Sequence, residues 1–581
     1  VDGFRFDLMG HHSRANMEAI RSALNELTMA ADGVDGSAIY LYGEGWNFGE
    51  VADNARFRQA TQGQLDGTGI GAFNDRLRDA VHGGGPFDED HRVNQGLGTG
   101  LYTDDNGLST QTPDEQLATL RRTSDLVRLG MAGNLRDYSL LAADGTIKKG
   151  SELDYNGQPA GYASMPQESV NYVDAHDNET LYDLAIMKLP VETSMADRVR
   201  MNTISLATVA LGQSPSFWHA GTEILRSKSL DRDSYNSGDH FNAVDWSLET
   251  NVFGTGLPVK DKNGEKWPVM KPLLENPALK PDRAAMEASL AQSLDLLRLR
   301  KSTPLLSLGT DALVRERVTF PGSGKDQVPG LVLMAVDDRA GTSAVDVDKD
   351  LDGVLVAINA TPESITTKVP ELAGRQFALS AVQKSGQDAV VKATGWVAAD
   401  GTLTVPARTA AMLVEKAAVI EPTPTATPTV TPSVTPTVKP TSGQTDLYST
   451  PGYHDVNGRK WFTTCEPYSQ TVRCRTSIWA TQVAYFNGAF RQSTGWYFNN
   501  MTYLPYMKRS QWAGNPLGHT GEWTSTEGRR WRTECDTAAT GRNGCRSFIW
   551  ASYIASRVEA GGNRTYYWTN GWLFNNIVRF K

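Results

Sequence analysis

Three short segments of this 581-residue sequence each deliver a carboxylate, and together they supply the groups for nucleophilic and acid–base chemistry. They are residues 1–7 with Arg5 and Asp7, residues 39–46 with Glu44 and Trp46, and residues 170–180 with His176 and Asp177. Side chains alternate along an extended strand, so Arg5 and Asp7 share one face. An arginine beside an aspartate keeps the carboxylate ionised and fixes its rotamer, as a nucleophile requires.

Each carboxylate follows a short apolar run, which is typical of a buried strand, and helical stretches separate the runs. In a (β/α)-barrel the carboxyl ends of the strands meet at one edge, where active sites of this fold lie. Carboxylates at such an edge suit glycoside cleavage. Taken singly, the Arg5–Asp7 pair could be a barrel-filling ion pair, Glu44 a loop carboxylate and His176 a core histidine. All three segments in this order favour an active site.

Several longer segments carry a resemblance to a known family. They are Asp2–Gly10, Gly43–Trp46, Phe73–Ala80, His219–Ser229, Asp231–Asp239 and Met270–Leu274. Their sequences resemble those of the pullulanase and limit-dextrinase branch of the α-amylase superfamily. The resemblance extends from Val1 to about Lys416.

The resemblance implies a retaining hydrolase of α-1,6-glucosidic linkages in pullulan, starch, glycogen or limit dextrins. By the same resemblance Asp7 is the nucleophile, Glu44 the acid and base, and Asp177 the stabiliser of the distorted sugar; these are the expected catalytic residues. The expected substrate-binding residues are Arg5, Trp46, His176, Arg232 and Asp233. Burial beside Trp46 and repulsion from Asp7 and Asp177 should raise the pKa of Glu44.

The expected fold class is α/β, with residues 1–305 forming an incomplete (β/α)8 barrel that holds strands four to eight. The five strands should end near Asp7, Glu44, Phe73, Asp177 and Trp218. The first conserved region of the superfamily has no counterpart in the sequence, which reads as a carboxyl-terminal piece. We therefore expect the 581-residue piece alone to be unstable or inactive. The alternatives are an inactive protein that only binds polysaccharide or cell wall through residues 446–581, and an isoamylase-like debranching enzyme.

Two further domains, joined by a linker, follow the expected barrel. A helix is predicted over 283–300 as the last barrel helix. Residues 306–420 should form an all-β sandwich, with buried strands near 330–336, 353–358 and 410–414. Residues 421–445 alternate Pro and Thr and predict an extended linker.

Residues 446–581 form a duplicated, Trp-rich accessory module with repeats at about 446–510 and 511–581. All four cysteines of the chain lie here, and the simplest pairing is Cys465–Cys474 with Cys535–Cys545. Nine of the fourteen tryptophans lie here too, so the module either binds carbohydrate or cell envelope, or uses Trp as core. Trp479 and Trp550, flanked by Ile and Ala, are predicted to be core residues.

The charge is unevenly divided along the chain. Residues 446–581 hold 16 Lys and Arg against 8 Asp and Glu, a net of +8, so the overall −9 leaves −17 for the rest. An acidic catalytic part suits a neutral glucan and gives no reason to expect a nucleic-acid partner. No apolar run is long enough to predict a membrane span. Disulfides predict a secreted protein. No metal ligands and no cofactor are predicted, with calcium at the Asp231–Asp239 loop left open.

Overall fold

A computed structural model describes residues 2–29, 31–339, 346–417, 446–468, 471–486, 489–525, 529–537, 543–558 and 564–581. These residues fall into two compact units. The first contains residues 2–339 and 347–417, and the second contains the described residues from 446 to 581. The predicted linker at 421–445 lies outside the described residues.

The first part of the first unit is mixed α/β. Its strands are β1 (Gly3–Phe6), β2 (Tyr40–Gly43), β3 (Gly71–Phe73), β4 (Ser139–Leu141), β5 (Ile147–Lys149), β6 (Asp154–Tyr155), β7 (Gln158–Pro159) and β8 (Ser169–Val170). Its helices are α1 (Arg14–Asn25), α2 (Asp75–His82), α3 (Pro113–Met131), α4 (Leu181–Lys188), α5 (Met195–Ala210), α6 (Asp239–Asn242), α7 (Lys260–Asn263), α8 (Trp267–Leu274) and α9 (Arg283–Ser302). The predicted helix over 283–300 is confirmed by α9.

Strands β1, β2, β3 and β8 form a parallel sheet in that order. The strand predicted to end near Asp177 is shorter than expected, because β8 ends at Val170. The strand predicted near Trp218 is reduced to a single parallel bridge between Asn171 and Ser216. Pro215, beside this bridge, has no N–H to extend the ladder.

Helices around this sheet begin at side chains that accept a hydrogen bond from the first turn. These capping residues are Ser13, Asn74, Thr112, Thr180, Ser194 and Asp282. At α3 the cap is reciprocal, because Glu115 N donates to Thr112 Oγ1 and Thr112 N donates to the Glu115 carboxylate. Helix α5 is buried along nearly its whole length and lies at the centre of the largest hydrophobic cluster.

The rest of the first unit is mostly β. Its elements are α10 (Asp311–Arg317), β9 (Val318–Thr319), β10 (Leu331–Asp337), β11 (Leu351–Asn359), β12 (Ile365–Lys368), β13 (Ala378–Leu379), α11 (Ala381–Ser385), β14 (Gly395–Val397), β15 (Thr402–Val405) and β16 (Thr409–Lys416). The predicted strands near 330–336, 353–358 and 410–414 are confirmed by β10, β11 and β16.

These strands form two antiparallel sheets, ordered β13-β16-β11-β10-β9 and β12-β15-β14. Leu333 and Leu355 share one hydrophobic cluster with Leu403 of the smaller sheet. Because side chains alternate, Met334 and Val356 point the other way, into the cluster that contains α3 and α5. The larger sheet is therefore covered on both faces.

The second unit is built on one eight-stranded sheet. Its strands are β17 (Gly452–Val456), β18 (Arg459–Tyr468), β19 (Thr471–Phe486), β20 (Ala489–Tyr503), β21 (Gly521–Thr524), β22 (Arg530–Cys535), β23 (Gly544–Val558) and β24 (Arg564–Arg579). The order is β17-β18-β19-β20-β24-β23-β22-β21. Each sequence repeat gives four antiparallel strands, and the two halves meet where β20 and β24 pair in parallel.

The predicted disulfides are confirmed, since Cys465 is bonded to Cys474 and Cys535 to Cys545. Each bridge links directly opposed residues of adjacent strands.

The core placement of Trp479 and Trp550 is wrong: they are 45% and 39% exposed. Neighbours in a strand lie on opposite faces, so an adjacent isoleucine argues for the opposite orientation of the tryptophan. No helix in the described ranges has the length and apolar character needed to span a bilayer.

Candidate active site

Two carboxylates lie side by side at the carboxyl ends of adjacent parallel strands. Strand β1 pairs with β2 so that Arg5 lies opposite Tyr42 and Phe6 opposite Gly43. Asp7 and Glu44 follow directly, and Glu44 N donates to the Phe6 carbonyl oxygen at 3.1 Å. The backbone register therefore brings both carboxylates to one edge of the sheet.

Arg5 joins the two carboxylates. Its Nη1 donates to Asp7 Oδ1 at 2.9 Å, and its Nη2 lies 3.1 Å from Glu44 Oε1. One guanidinium thus fixes both side chains, which suits its rigid fork of donors. The sequence analysis anticipated the contact with Asp7 but not the one with Glu44.

The two carboxylates differ strongly in solvation. The Asp7 side chain is 66% exposed, whereas the Glu44 side chain is only 11% exposed. Burial raises the pKa of Glu44, opposed by the hydrogen bond from Leu8 N (2.7 Å) and by the charge of Arg5. The charges of Asp7 and Asp177 raise it further. The predicted direction of this pKa shift is confirmed.

The loop around Glu44 is held close to the chain that follows β1. Gly10 N donates to the Glu44 carbonyl oxygen at 2.8 Å. A Cβ at Gly10 would collide with the carbonyl oxygen of Trp46, so this approach requires glycine. Trp46 is partly buried against the cluster of Phe73 and Tyr172. The indole is thereby fixed beside the carboxylates.

His176 and Asp177 lie on an irregular segment after β8, with both side chains more than half exposed. His176 Nε2 is 3.4 Å from Asp177 Oδ1. The backbone here is held by Lys228, whose Nζ donates to the carbonyl oxygens of His176 (3.0 Å) and Asn178 (2.6 Å). Lys228 thus holds the backbone on both sides of Asp177 by hydrogen bonds, a role that the sequence analysis did not predict.

Asp183 in turn holds the segment that contains Lys228. Its carboxylate accepts hydrogen bonds from Ser227 Oγ, Lys228 N and Leu230 N. Burial raises the pKa of Asp183 to about 6, despite these donors. The only sequence signal for this support was the resemblance of residues 219–229 to the pullulanase branch. Residue spacing alone does not predict which side chains in that segment contact Asp183.

A cleft of about 1320 Å³ brings these groups together. Its lining includes six of the predicted residues: Arg5, Asp7, Glu44, Trp46, His176 and Asp177. Phe87 and Tyr235, both largely exposed, also line it and were not singled out in the sequence. A cleft lined by both polar and aromatic side chains suits a sugar chain, whose rings have apolar faces and polar edges.

Arg232 and Asp233 are not among the residues that line this cleft. Arg232 Nη2 donates to the Pro86 carbonyl oxygen at 3.0 Å, and Pro86 does line the cleft. Asp233 lies 3.8 Å from Lys262 Nζ. Arg232 therefore reaches the site through the segment of Pro86, whereas the contact of Asp233 is with Lys262, which is not among the residues that line the cleft.

The acidic loop from Asp231 to Asp239 is held by protein donors. Asp231 Oδ1 accepts from Asp233 N and Asn263 Nδ2, and Oδ2 accepts from Ser237 Oγ. Across the described residues, no three His, Cys, Asp or Glu side chains converge as metal ligands.

Comparison with known proteins finds several similar sequences and structures. The model of a family described as "Alpha-1,6-glucosidases, pullulanase-type, C-terminal" matches residues 248–416. Pullulanase 1, chloroplastic, of Arabidopsis thaliana is 46% identical over 418 residues, 71% of this chain and 43% of that protein. Pullulanase of Klebsiella pneumoniae is 46% identical over 417 residues, 71% of this chain and 36% of that protein.

Over about 71% of its length the chain is similar to pullulanases. Solved structures agree: the maltotriose complex of the Klebsiella pneumoniae pullulanase PulA superposes with a TM-score of 0.66 at 42% identity, over 72% of this chain and 43% of that one. PulA from Klebsiella oxytoca gives 0.66 at 44% identity, over 72% and 38%. The chain spans less than half the length of these pullulanases.

Proposed function

We propose that the protein hydrolyses α-1,6-glucosidic linkages with retention of configuration, as a pullulanase-type debranching enzyme. One observation carries this proposal: the guanidinium of Arg5 forms ion pairs with both the exposed Asp7 and the buried Glu44, which lie at the ends of neighbouring strands. Retaining enzymes need one ionised carboxylate and one protonated acid at roughly 5–5.5 Å. The different solvation of the two groups, in a chain similar to pullulanases, supplies that pair.

In the first step the Asp7 carboxylate attacks the anomeric carbon and forms a glycosyl ester. Glu44 gives its proton to the glycosidic oxygen, so the C–O bond breaks and a hydroxyl leaves. In the second step the Glu44 carboxylate takes a proton from water, whose oxygen attacks the anomeric carbon and releases Asp7. Asp177 stabilises the positive charge that develops on the sugar in both steps, and His176 binds its hydroxyl groups.

The remaining predicted residues bind substrate. Trp46 stacks on a glucosyl ring of the leaving chain, and Arg5 holds Asp7 and Glu44 in register. Arg232 and Asp233 are assigned an indirect role, in which they shape the loop that accepts the branch point. The substrates are pullulan, starch, glycogen or limit dextrins; the Klebsiella protein was crystallised with maltotriose.

We also propose the finer architecture. The parallel sheet β1-β2-β3-β8, continued by the bridge at Asn171 and Ser216, is an arc of a (β/α)8 barrel, strands four to eight, within residues 1–305. The two sheets within 306–420 form a β-sandwich, 421–445 is a linker, and 446–581 is an accessory module that binds polysaccharide or cell wall. The disulfides of this module support a secreted location.

The relatives favour catalysis over a protein that only binds. The match of the pullulanase-type model to residues 248–416 favours this activity over an isoamylase-like one. The direct test is to trap the intermediate with a fluorinated α-glucosyl fluoride, whose glycosyl ester hydrolyses slowly. We expect mass spectrometry to find the label on the peptide with Asp7, and none in Asp7→Asn. Label on another carboxylate would reject the assignment.

A further inference from the structure

The two faces of the sheet formed by β21 to β24 have different environments. On one face the Cys535–Cys545 disulfide packs with Trp512, Val578 and Phe580. The turn Pro516–Gly518 contacts β22 and β23 there as well. The opposite face carries the side chains that alternate with these, and several are aromatic and open to solvent.

Three tryptophans follow one another along this open face. Trp550 lies opposite Trp572, with ring centroids 5.4 Å apart, and Trp568 lies opposite Ile554. Trp568 is 57% exposed. Trp568 and Trp572 are four residues apart on β24, which places them about 13–14 Å apart on the same face. Exposed aromatic groups of this size mark binding surfaces.

Two arginines of β22 share this face. The Arg530 guanidinium carbon lies 5.5 Å from the ring centre of Trp550 and 5.7 Å from that of Trp572. The Arg532 guanidinium carbon lies 5.1 Å from the Trp572 ring centre. We call the five residues Arg530, Arg532, Trp550, Trp568 and Trp572 the Arg–Trp face.

Both guanidiniums keep capacity for a ligand. Arg530 contacts Glu522 at 3.4 Å and Arg532 contacts Glu534 at 3.2 Å, in pairs that are substantially exposed. Exposed ion pairs are worth little, and an arginine has five N–H donors, so an incoming carboxylate competes readily. Contact with the indole rings meanwhile fixes each guanidinium in place.

Charge complementarity indicates the occupant. Residues 446–581 carry a net charge of +8, whereas the rest of the chain carries −17. A positively charged surface favours an anionic polymer. In a uronic-acid polysaccharide each acid group is attached to a sugar ring, so one sugar can pair with a guanidinium and stack on an indole. A polyol phosphate offers the charge without the ring.

We propose that the Arg–Trp face binds a polysaccharide that contains uronic acids. Its sugar rings lie on Trp568 and Trp550, and its carboxylates pair with Arg530 and Arg532. This inference rests on the polysaccharide-binding function proposed above for residues 446–581, and it is independent of catalysis at Glu44.

The first repeat provides an internal comparison. The strand registers place Lys460 at the position of Arg530, Phe462 at that of Arg532 and Gln492 at that of Trp568. The first repeat therefore lacks both arginines, although Lys460 keeps one of the two positive charges, and it lacks one of the three tryptophans. Only the second repeat presents the complete set.

The test is affinity electrophoresis of the full 581-residue chain in gels that contain polygalacturonate, pullulan or inorganic polyphosphate. We expect retardation by polygalacturonate that weakens at least ten-fold in Arg530→Gln/Arg532→Gln and in Trp568→Ala, and that falls with added salt. Lys508→Gln/Lys581→Gln removes the same charge outside these strands and should bind as the parent does. Far-ultraviolet circular dichroism checks that each variant is folded.

Several results would overturn the inference. They are no retardation by polygalacturonate, an equal loss in the lysine variant, or binding to polyphosphate that matches polygalacturonate and ignores Trp568→Ala. Retardation by pullulan should be unchanged in the arginine variant. If the arginine or tryptophan substitutions weaken only the binding of pullulan, the module binds neutral glucan. In that case the proposed polysaccharide-binding function stands and the assignment of a uronic-acid ligand fails.

Discussion

Arg5 contacts both Asp7 and Glu44, yet only Glu44 is removed from water. Burial favours the neutral form of Glu44, while Arg5 and the Leu8 N–H favour the charged form. The pKa of Glu44 stays raised because the burial contribution is the largest. This balance favours the protonated form of Glu44, while its neighbour at the adjacent strand end faces the solvent.

Substitution of Arg5 tests that balance. In Arg5→Met the pKa of Glu44 rises further, because a charge that lowers it is lost. We expect kcat to fall about 10²- to 10³-fold, and the alkaline limb of the kcat/KM profile to move to higher pH. Arg14→Met, which removes ion pairs with Glu18 and Asp66, should leave the limb in place. A limb that moves to lower pH in Arg5→Met contradicts the account.

The same shift of Glu44 predicts a pH-dependent stability. A raised folded-state pKa means that the fold favours protonated Glu44; this stability is fully present below the unfolded-state pKa and is lost as pH rises through the folded-state pKa. Glu44→Gln keeps a neutral side chain at every pH. We expect its Tm to exceed that of the parent at pH 7, and the difference to vanish at pH 4. A larger gain at pH 4 than at pH 7 would show the opposite shift.

Among the elements, the segment between β8 and α4 carries Asp177 without regular secondary structure. No neighbouring strand of the described residues supplies hydrogen bonds beside Asp177, and the ammonium group of Lys228 donates instead to the two carbonyl oxygens there. Lys188 bonds the carbonyl oxygens of Gly83 and Asn94 in the same way, at the end of α4. Both lysines are buried, but Lys188 lines the cleft and bonds no chain beside Asp177, so Lys188→Met controls only for the loss of a buried ammonium group.

We assign Lys228 as a positioning residue for Asp177. In Lys228→Met the two carbonyl groups lose their partner, which costs about 1–3 kcal/mol for each unsatisfied group. The Tm should fall to a similar extent in Lys228→Met and Lys188→Met. On pullulan we expect kcat to fall about 10-fold more in Lys228→Met, with little change in KM. Equal kcat values in the two variants would show that Lys228 is merely structural.

The sequence predicted those elements whose signal is local. Strand ends with carboxylates gave six cleft residues, apolar runs gave β10, β11 and β16, and helical spacing gave α9. The length of β8 could not be predicted, because it depends on which groups of the distant residues 215–217 are free to pair. The contact of Arg5 with Glu44 also depends on the register of β1 with β2. Trp479 and Trp550 were predicted to be core from their apolar sequence neighbours, which in a strand lie on the opposite face.

At the scale of the whole molecule, the chain divides into an acidic unit with the candidate site and a basic unit with both disulfides. The first has a core in which helices and sheets pack together, whereas the second is one sheet with a small hydrophobic cluster. Units with separate cores are expected to unfold as separate transitions.

Removal of the second disulfide by substitution tests this division. Cys535→Ser/Cys545→Ser frees a loop of 10 residues, which should lower the free energy of unfolding of that unit by about 2–3 kcal/mol. Urea unfolding followed by tryptophan fluorescence should show one transition that moves and one that does not, with kcat on pullulan retained. A single transition that shifts as a whole would show that the two units fold together.

The central proposal is that Asp7 and Glu44 cleave α-1,6 linkages, as in a pullulanase-type enzyme. The most direct measurement is release of maltotriose from pullulan by the protein in its full-length native form, with amylose as the α-1,4 control and Glu44→Gln as the inactive variant. We expect maltotriose released first as the α-anomer, a loss of about 10²- to 10⁴-fold in Glu44→Gln, and little cleavage of amylose. A folded protein that releases no maltotriose, releases the β-anomer first, or keeps its rate in Glu44→Gln would contradict the account.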